Sequence, residues 1–254
     1  MGRHAQPRAS MAIPRIFHSV PLASHQALVL PQAAARHAGG ALRLRPGDAL
    51  VLFDGTGGEY PARVLRTGKR EMVVTLDGHR AVERESPLPV TLAQGIAGAE
   101  RMDFAVQKSS ELGVVAIQPL ACLRSPPLGA ERAAKKTEHW QRVAISACEQ
   151  CGRNRIPGVP PVLPLRRWLT TLPPAAAGEQ RWVLLPEGGQ ALKHLPPPNR
   201  LLLLVGPEGG FAPEEAMDIT AAGFRPVALG PRILRTETAG IAALGAIQAL
   251  WGDL

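Results

Sequence analysis

The chain has 254 residues, with 29 Lys and Arg against 21 Asp and Glu for a net charge of +8, 45% apolar and 4% aromatic content, 26 Gly, 25 Pro and three Cys. That is enough apolar residue for one large or two small cores, which excludes a disordered chain, and three Cys exclude a disulfide scaffold. The strongest apolar run, Leu201 to Val205, has five residues against the roughly 18 to 20 of a spanning helix, which excludes a helical membrane protein.

Met1 to Ser10 is polar and basic with no apolar segment behind it, so it is not a secretory signal and a cytoplasmic location is expected. Residues 1–12 are set apart as a disordered leader, because Met11 opens the first patterned segment. From Ile13 to about Arg84, short apolar stretches alternate with the turn dipeptides Pro46-Gly47, Asp54-Gly55, Gly57-Gly58, Thr67-Gly68 and Asp77-Gly78. This spacing predicts a small β-barrel. Ala49 to Phe53, Tyr60 to Leu65 and Glu71 to Leu76 are its clearest strands, and Gln32 to Leu44 reads as a helix interrupted by Gly39-Gly40.

The prolines of Glu85-Ser86-Pro87-Leu88-Pro89 mark a boundary, dividing the chain into domains at 13–86 and 87–254. The periodicity then alternates between helix and strand. Strand Val90 to Ile96 precedes a helix from Gly98 to Leu112 with Met102, Ala105, Val106, Ser109 and Leu112 on one face and Gly113 as its stop. Strand Val114 to Leu120, helix Glu131 to Cys151 and strands Arg181 to Pro186 and Leu201 to Val205 follow. Helix Pro213 to Ala222, strand Pro226 to Gly230 and helix Thr236 to Trp251 complete the pattern. Apolar strands alternating with helices predict an α/β fold with a parallel sheet covered on both faces. Pro157 to Pro198 holds ten prolines and reads as an irregular connector. The final helix is apolar on nearly every side, which predicts burial in the sheet packing or at a subunit interface.

Charge is uneven: residues 1–200 hold 26 basic and 15 acidic side chains, while residues 201–254 hold 3 and 6. An Arg-dominated excess with a pI of about 10.2 suits a polyanionic partner, or reflects solvated Arg alone. In the helix Glu131 to Cys151, Ala133, Thr137, Trp140, Ala144, Ala147 and Cys151 face a core. Arg132, Lys135, Lys136, His139 and Arg142 form a basic stripe on the other side, followed by Arg153, Asn154 and Arg155. The stripe is a solvated face or a phosphate-backbone contact, and the adjacent cluster favours RNA. Cys148 and Cys151 form a CxxC, but only Cys122 is left to join them and there is no paired His. They therefore read as core cysteines, and no metal is expected.

Strand Leu201 to Val205 runs into Gly206-Pro207-Glu208-Gly209-Gly210, then Pro213-Glu214-Glu215 opens a helix. A Gly-rich turn after a buried parallel strand is where α/β folds bind ligands, and this one matches neither the dinucleotide nor the P-loop fingerprint. A tight turn with acids at a helix start is its plain structural reading. Strand Pro226 to Gly230 also ends in Gly and leads through Pro231-Arg232-Ile233-Leu234-Arg235 to Thr236-Glu237-Thr238, so the two ends together predict one pocket. Hydrolase constellations are absent and the seven His are scattered.

Four motifs, Gln107 to Val114, Ala147 to Asn154, Leu204 to Phe211 and Leu229 to Thr238, resemble the bacterial 16S rRNA uridine-N3 methyltransferase family of the SPOUT class. Ile13 to His18 and the Phe53-Asp-Gly55 hairpin fit its N-terminal domain. The resemblance implies a PUA-like RNA-binding β-barrel, then an α/β domain with a C-terminal trefoil knot holding S-adenosylmethionine, in a homodimer acting on 16S rRNA within the 30S subunit. It implies Asn154 and Arg15 at the target base, with Arg235 as an electrostatic partner. The cofactor would lie against Pro186, Glu187, Gly206, Pro207, Glu208, Gly209, Gly210, Leu229, Gly230, Leu234, Thr236 and Thr238, with Glu208 a contact or a base. Uridine N3 methylation needs loss of the N3 proton and stabilisation of the resulting charge. Ribose 2′-O or guanine-N1 methylation, and a non-catalytic RNA-binding assembly factor, are the alternatives.

Overall fold

A computed structural model of the chain describes residues 13–68 and 71–254. The leader expected at residues 1–12 lies outside them. The chain divides between Arg84 and Glu85 into two compact units, two residues ahead of the boundary read from the prolines.

The first unit is a five-stranded sheet of β1 (Arg15–Phe17), β2 (Ala27–Val29), β3 (Ala49–Phe53), β4 (Tyr60–Thr67) and β5 (Met72–Leu76), in the order β1-β3-β4-β5-β2. Only β1 and β3 pair in parallel. Period-two alternation places Ala62 and Val64 of β4 and Met72, Val74 and Leu76 of β5 in the core. Residues 15–17 and 27–29 are too short to show alternation, so the sequence reading missed both strands. The helix expected at 32–44 is shorter: α1 (Gln32–Arg36) passes into a π-helical turn, His37–Ala41, that contains both glycines.

The second unit carries β6 (Val90–Gly95), β7 (Ala116–Ala121), β8 (Leu163–Pro164), β9 (Glu179–Leu184), β10 (Gln190–Ala191), β11 (Arg200–Val205) and β12 (Arg225–Ala228) in one sheet ordered β10-β12-β9-β11-β6-β7-β8. Every pairing is parallel. Helices α2 (Ala99–Glu111), α3 (Ala130–Cys151), α4 (Leu165–Thr171), α5 (Pro213–Ala221) and α6 (Thr236–Trp251) cover both faces. β11 shows why its run is apolar throughout: Leu201, Leu203 and Val205 pack with Met102 of α2, Trp140 of α3 and Ile247 of α6, whereas Leu204 packs with Trp168 of α4 and Ile219 of α5. The Gly stops also act as expected, with Gly152 capping α3 at φ 93° and Gly113 following α2 at φ 83°.

One expectation is corrected. Residues 157–198 are not a plain connector, because Leu165, Trp168 and Leu169 form the buried face of α4 directly after Pro164. On the final helix, Gly240, Ala243, Leu244, Ile247 and Gln248 are buried within the chain, and Leu250 is 50% exposed.

Candidate cofactor site at the sheet edge

β9, β11 and β12 run parallel, so their C-terminal ends open on one sheet edge. The segments beyond them enclose a cavity of about 720 Å³, within the 300–1,000 Å³ typical of small-molecule sites. Leu184 ends β9 and Leu185 and Pro186 follow it, residues 205–211 end and follow β11, and Leu229, Gly230 and residues 232–237 run from β12 into α6. Arg101 of α2 and Arg124, beyond β7, complete the wall.

Close backbone approach fixes these loops. Val205 pairs with Gln94 in register, and a Cβ on the next residue of β6, Gly95, would stand 2.6 Å from the Pro207 nitrogen. Only glycine fits there. Gly230 has φ 88°, and a Cβ on it would meet nothing within 4 Å. Since Gly230 lines the cavity, its bare backbone leaves that space to a ligand.

Side chains pin the loops from behind. Thr236 Oγ1 donates to the Gly206 carbonyl at 2.5 Å and accepts from Gln94 Nε2 at 2.9 Å. Glu215, at 1% exposure, accepts from the Ala212 amide at 2.9 Å and the Leu123 amide at 2.8 Å, fixing the turn that opens α5. Arg101 Nη1 pairs with Glu208 Oε1, which also accepts from the Gly98 amide at 2.8 Å. Arg124 Nη1 donates to the Gly209 carbonyl at 3.0 Å. The Arg101 guanidinium and the Gly98 amide hold the Glu208 carboxyl below its usual range.

Ten of the twelve residues expected at the cofactor line this cavity: Pro186, Gly206, Pro207, Glu208, Gly209, Gly210, Leu229, Gly230, Leu234 and Thr236. Glu187 and Thr238 lie outside its lining. Thr236 is only 8% exposed, and its hydroxyl serves the Gln94 and Gly206 bonds. Arg235 is exposed and lines the cavity. Sequence reading missed Arg101, Arg124 and Gln94, whereas Glu237 belongs to the Thr236-Glu237-Thr238 helix start read as part of the pocket. Arg101 and Arg124 lie far from the cofactor motifs in sequence, and only β6–β11 pairing brings Gln94 beneath them. The net negative charge of residues 201–254 does not make a negative pocket, because Arg101 and Arg124 come from the earlier part of the chain and join Arg232 and Arg235 against Glu208 and Glu237.

In the polar cluster after α3, Arg153 and Asn154 are buried and Arg155 is exposed. Arg153 is 3% exposed, forks onto Glu85 through Nε at 3.0 Å and Nη2 at 2.5 Å, and donates to the Ser110 and Val114 carbonyls. These bonds use four of the five guanidinium N–H donors. Asn154 is 0% exposed and outside the cavity lining. Arg15, in the first unit, pairs with Glu59 at 2.5 Å and stacks over Phe53 at 5.0 Å. Of the basic stripe, Arg132, Lys135, Arg142 and Arg155 are exposed; Lys136 and His139 are half-buried, and His139 Nε2 contacts Asp103 at 2.8 Å. Cys148 is fully buried and Cys151 partly so, and both are free thiols. Among the described residues no group of three or more His, Cys, Asp or Glu is placed to hold a metal, and no helix is long and apolar enough to cross a membrane.

A parallel sheet whose glycine-bearing strand ends enclose a small-molecule cavity, preceded by a small β unit, defines an RNA methyltransferase with a PUA domain: the family profile of an RNA methyltransferase domain matches residues 84–248, and that of an RNA methyltransferase PUA domain matches residues 30–77. Ribosomal RNA small subunit methyltransferase E of Buchnera aphidicola subsp. Schizaphis graminum is 36% identical over 246 residues, covering 95% of this chain and 98% of the relative. The Bacillus subtilis protein of the same name is 30% identical, covering 82% and 84%. The chain belongs to the ribosomal RNA small subunit methyltransferase E family. A Legionella pneumophila methyltransferase solved with bound SAM superposes with a TM-score of 0.91 at 39% identity, covering 96% of this chain and 100% of that one. Ribosomal RNA small subunit methyltransferase E of Neisseria gonorrhoeae, bound to S-adenosyl methionine, gives 0.88 at 40% identity, covering 95% and 99%.

Proposed function

We propose that the protein transfers the methyl group of S-adenosylmethionine to N3 of a uridine in small-subunit (16S) ribosomal RNA. The cavity closed by Gly206, Gly230 and Leu234 is the observation that carries this reading. It fits the methyl donor: Leu184, Leu185, Leu229 and Leu234 supply apolar walls for a purine, and the Cβ-free Gly230 leaves room for a ligand against its backbone. When bound, the cofactor supplies an electrophilic methyl group at this edge.

The chain's own residues supply position and charge. In this reading Arg235, exposed at the cavity wall, stabilises the negative charge that a uracil ring acquires when N3–H is lost. Glu208 is a poor base for that proton, because Arg101 and the Gly98 amide stabilise its ionised form. It acts as a latch on the loop instead. Asn154 and Arg153 are positioning residues at the end of α3. The exposed Arg132, Lys135, Arg142 and Arg155 offer the phosphate contacts. The half-exposed Leu250 of α6 supports a homodimer joined through that helix, and the run from β12 back to α6 is the segment the family resemblance threads as a knot. A 30S substrate implies a cytoplasmic protein.

The test is incubation of the protein with labelled cofactor and undermethylated 30S subunits, followed by nucleoside digestion. Label in N3-methyluridine supports the reading. Label in a 2′-O-methylnucleoside or 1-methylguanosine replaces it with another RNA methylation, and cofactor binding without any label favours an assembly factor.

A further inference from the structure

Six charged side chains line the cavity: Arg101, Arg124, Arg232 and Arg235 against Glu208 and Glu237. S-adenosylmethionine carries cationic charge on its sulfonium and its α-ammonium. A lining with more guanidinium than carboxylate opposes both, unless one carboxylate is kept for them.

Glu208 is less suited to that part, since its Oε1 is shared between Arg101 and the Gly98 amide and its side chain, 41% exposed, is screened by solvent. Glu237 is differently placed. Its side chain is 14% exposed, and Oε1 stands 3.6 Å from Arg101 Nε, beyond hydrogen-bond length. Its Oε2 is buried with no hydrogen-bond partner among the described residues. A buried carboxylate oxygen without a donor is costly, and native folds rarely leave one without a reason. The preceding residue, Thr236, is tied to Gly206 and Gln94, so the Glu237 backbone is held at the cavity wall.

We propose that Glu237 is the counter-charge for the cationic part of the methyl donor, its sulfonium or its α-ammonium, and so selects a charged cofactor over a neutral nucleoside. The inference rests on the S-adenosylmethionine reading above. Glu237 takes no part in proton transfer; it offsets the surplus of guanidinium and gives its unused acceptor to the ligand.

Calorimetry on the full chain tests it with three ligands: S-adenosylmethionine, S-adenosylhomocysteine, which keeps the ammonium but not the sulfonium, and 5′-methylthioadenosine, which has neither. Glu237→Gln should weaken S-adenosylmethionine about tenfold or more and leave 5′-methylthioadenosine within about twofold. If S-adenosylhomocysteine weakens in parallel, the partner is the ammonium; if it does not, the partner is the sulfonium. Either result supports the proposal. Unchanged S-adenosylmethionine affinity overturns it, and so does an equal loss for 5′-methylthioadenosine, which would mark a folding defect. Glu237→Asp keeps the charge and should retain part of the preference for the charged ligand; loss of that preference in the Asp variant with 5′-methylthioadenosine binding intact also counts against the proposal. Failure of the unsubstituted protein to bind S-adenosylmethionine at all would remove the cofactor reading itself.

Discussion

Thr236 Oγ1 donates to the Gly206 carbonyl across 2.5 Å, tying the start of α6 to the end of β11 although 30 residues separate them in sequence. Gln94 Nε2 completes the tie by donating to the same hydroxyl at 2.9 Å. Two of the three cavity loops are thereby fixed to the floor of the sheet.

Thr236→Val keeps the shape and removes both bonds, leaving the Gln94 amide and the Gly206 carbonyl without this partner. Loss of about 1–3 kcal/mol of stability is expected, together with weaker cofactor binding because the loops lose their common anchor. Thr236→Ser should retain most of both. Denaturant unfolding and calorimetry on the two variants check this, and a Val variant as stable as the parent would show that the tie contributes nothing.

Arg153 and Glu85 form a buried fork, with contacts at 3.0 and 2.5 Å, and Arg153 also serves two carbonyls. Arg153→Ala should cost about 3–5 kcal/mol, because it strands a carboxylate within the fold. Arg153→Lys should recover little, since an ammonium cannot reproduce the planar fork. Chemical denaturation of each variant provides the measurement. Equal stability of the Lys variant and the parent would mean that charge alone matters there.

The glycines of the site make opposite demands. Gly95→Ala places a methyl group 2.6 Å from the Pro207 nitrogen, so the loop must move and cofactor binding should fall sharply. Gly230→Ala meets no neighbour, but it holds a φ of 88° that costs an L-residue roughly 1–2 kcal/mol, and it projects a methyl group into the cavity space. Its thermal stability should drop modestly while affinity drops more. Calorimetry that found both variants binding like the parent would contradict the cavity assignment.

The Glu208 carboxyl is held below its ordinary value of 4.5, first by its hydrogen bond with Arg101. A lowered folded value means that the stabilisation is fully present above the unfolded value and is lost as pH falls through the folded one. The latch should therefore be indifferent to pH from 5 upward and loosen only below about 4.5. Because Glu208 is 41% exposed, solvent screening keeps its contribution small. Cofactor affinity measured from pH 4 to 8 should bend at the acid end in the parent and not in Glu208→Gln. A bend of equal size in both would assign it to another group.

Asn154 is fully buried at the end of α3. Asn154→Ala should lower thermal stability and methylation turnover together while leaving cofactor affinity nearly unchanged, because Asn154 does not line the cavity. A turnover loss with no change in melting temperature would return Asn154 to direct contact with the target base.

Local pattern was enough for much of this. The apolar run of β11, the stops at Gly113 and Gly152, and the full span of α6 were legible because strand burial on two faces and a positive-φ cap each leave a signature within a few residues. The three-residue strands and α4 were not. A segment as short as Arg15–Phe17 has no period to read, and the prolines around Leu165–Thr171 hid its apolar face.

The cofactor loops were legible as glycine-bearing strand ends, whereas their surroundings required the fold. Arg101 and Arg124 reach the cavity, and Gln94 reaches Thr236 behind it, because β6 pairs with β11 and the segments after β6 and β7 lie at the same sheet edge. Tertiary structure also decided that Arg153 is an internal strut and that the pocket carries more guanidinium than carboxylate. Sequence by itself determined the class of chemistry through motifs that keep their neighbours. Which charges stand together depends on contacts between residues distant in the chain, and composition by segment carries no information about those.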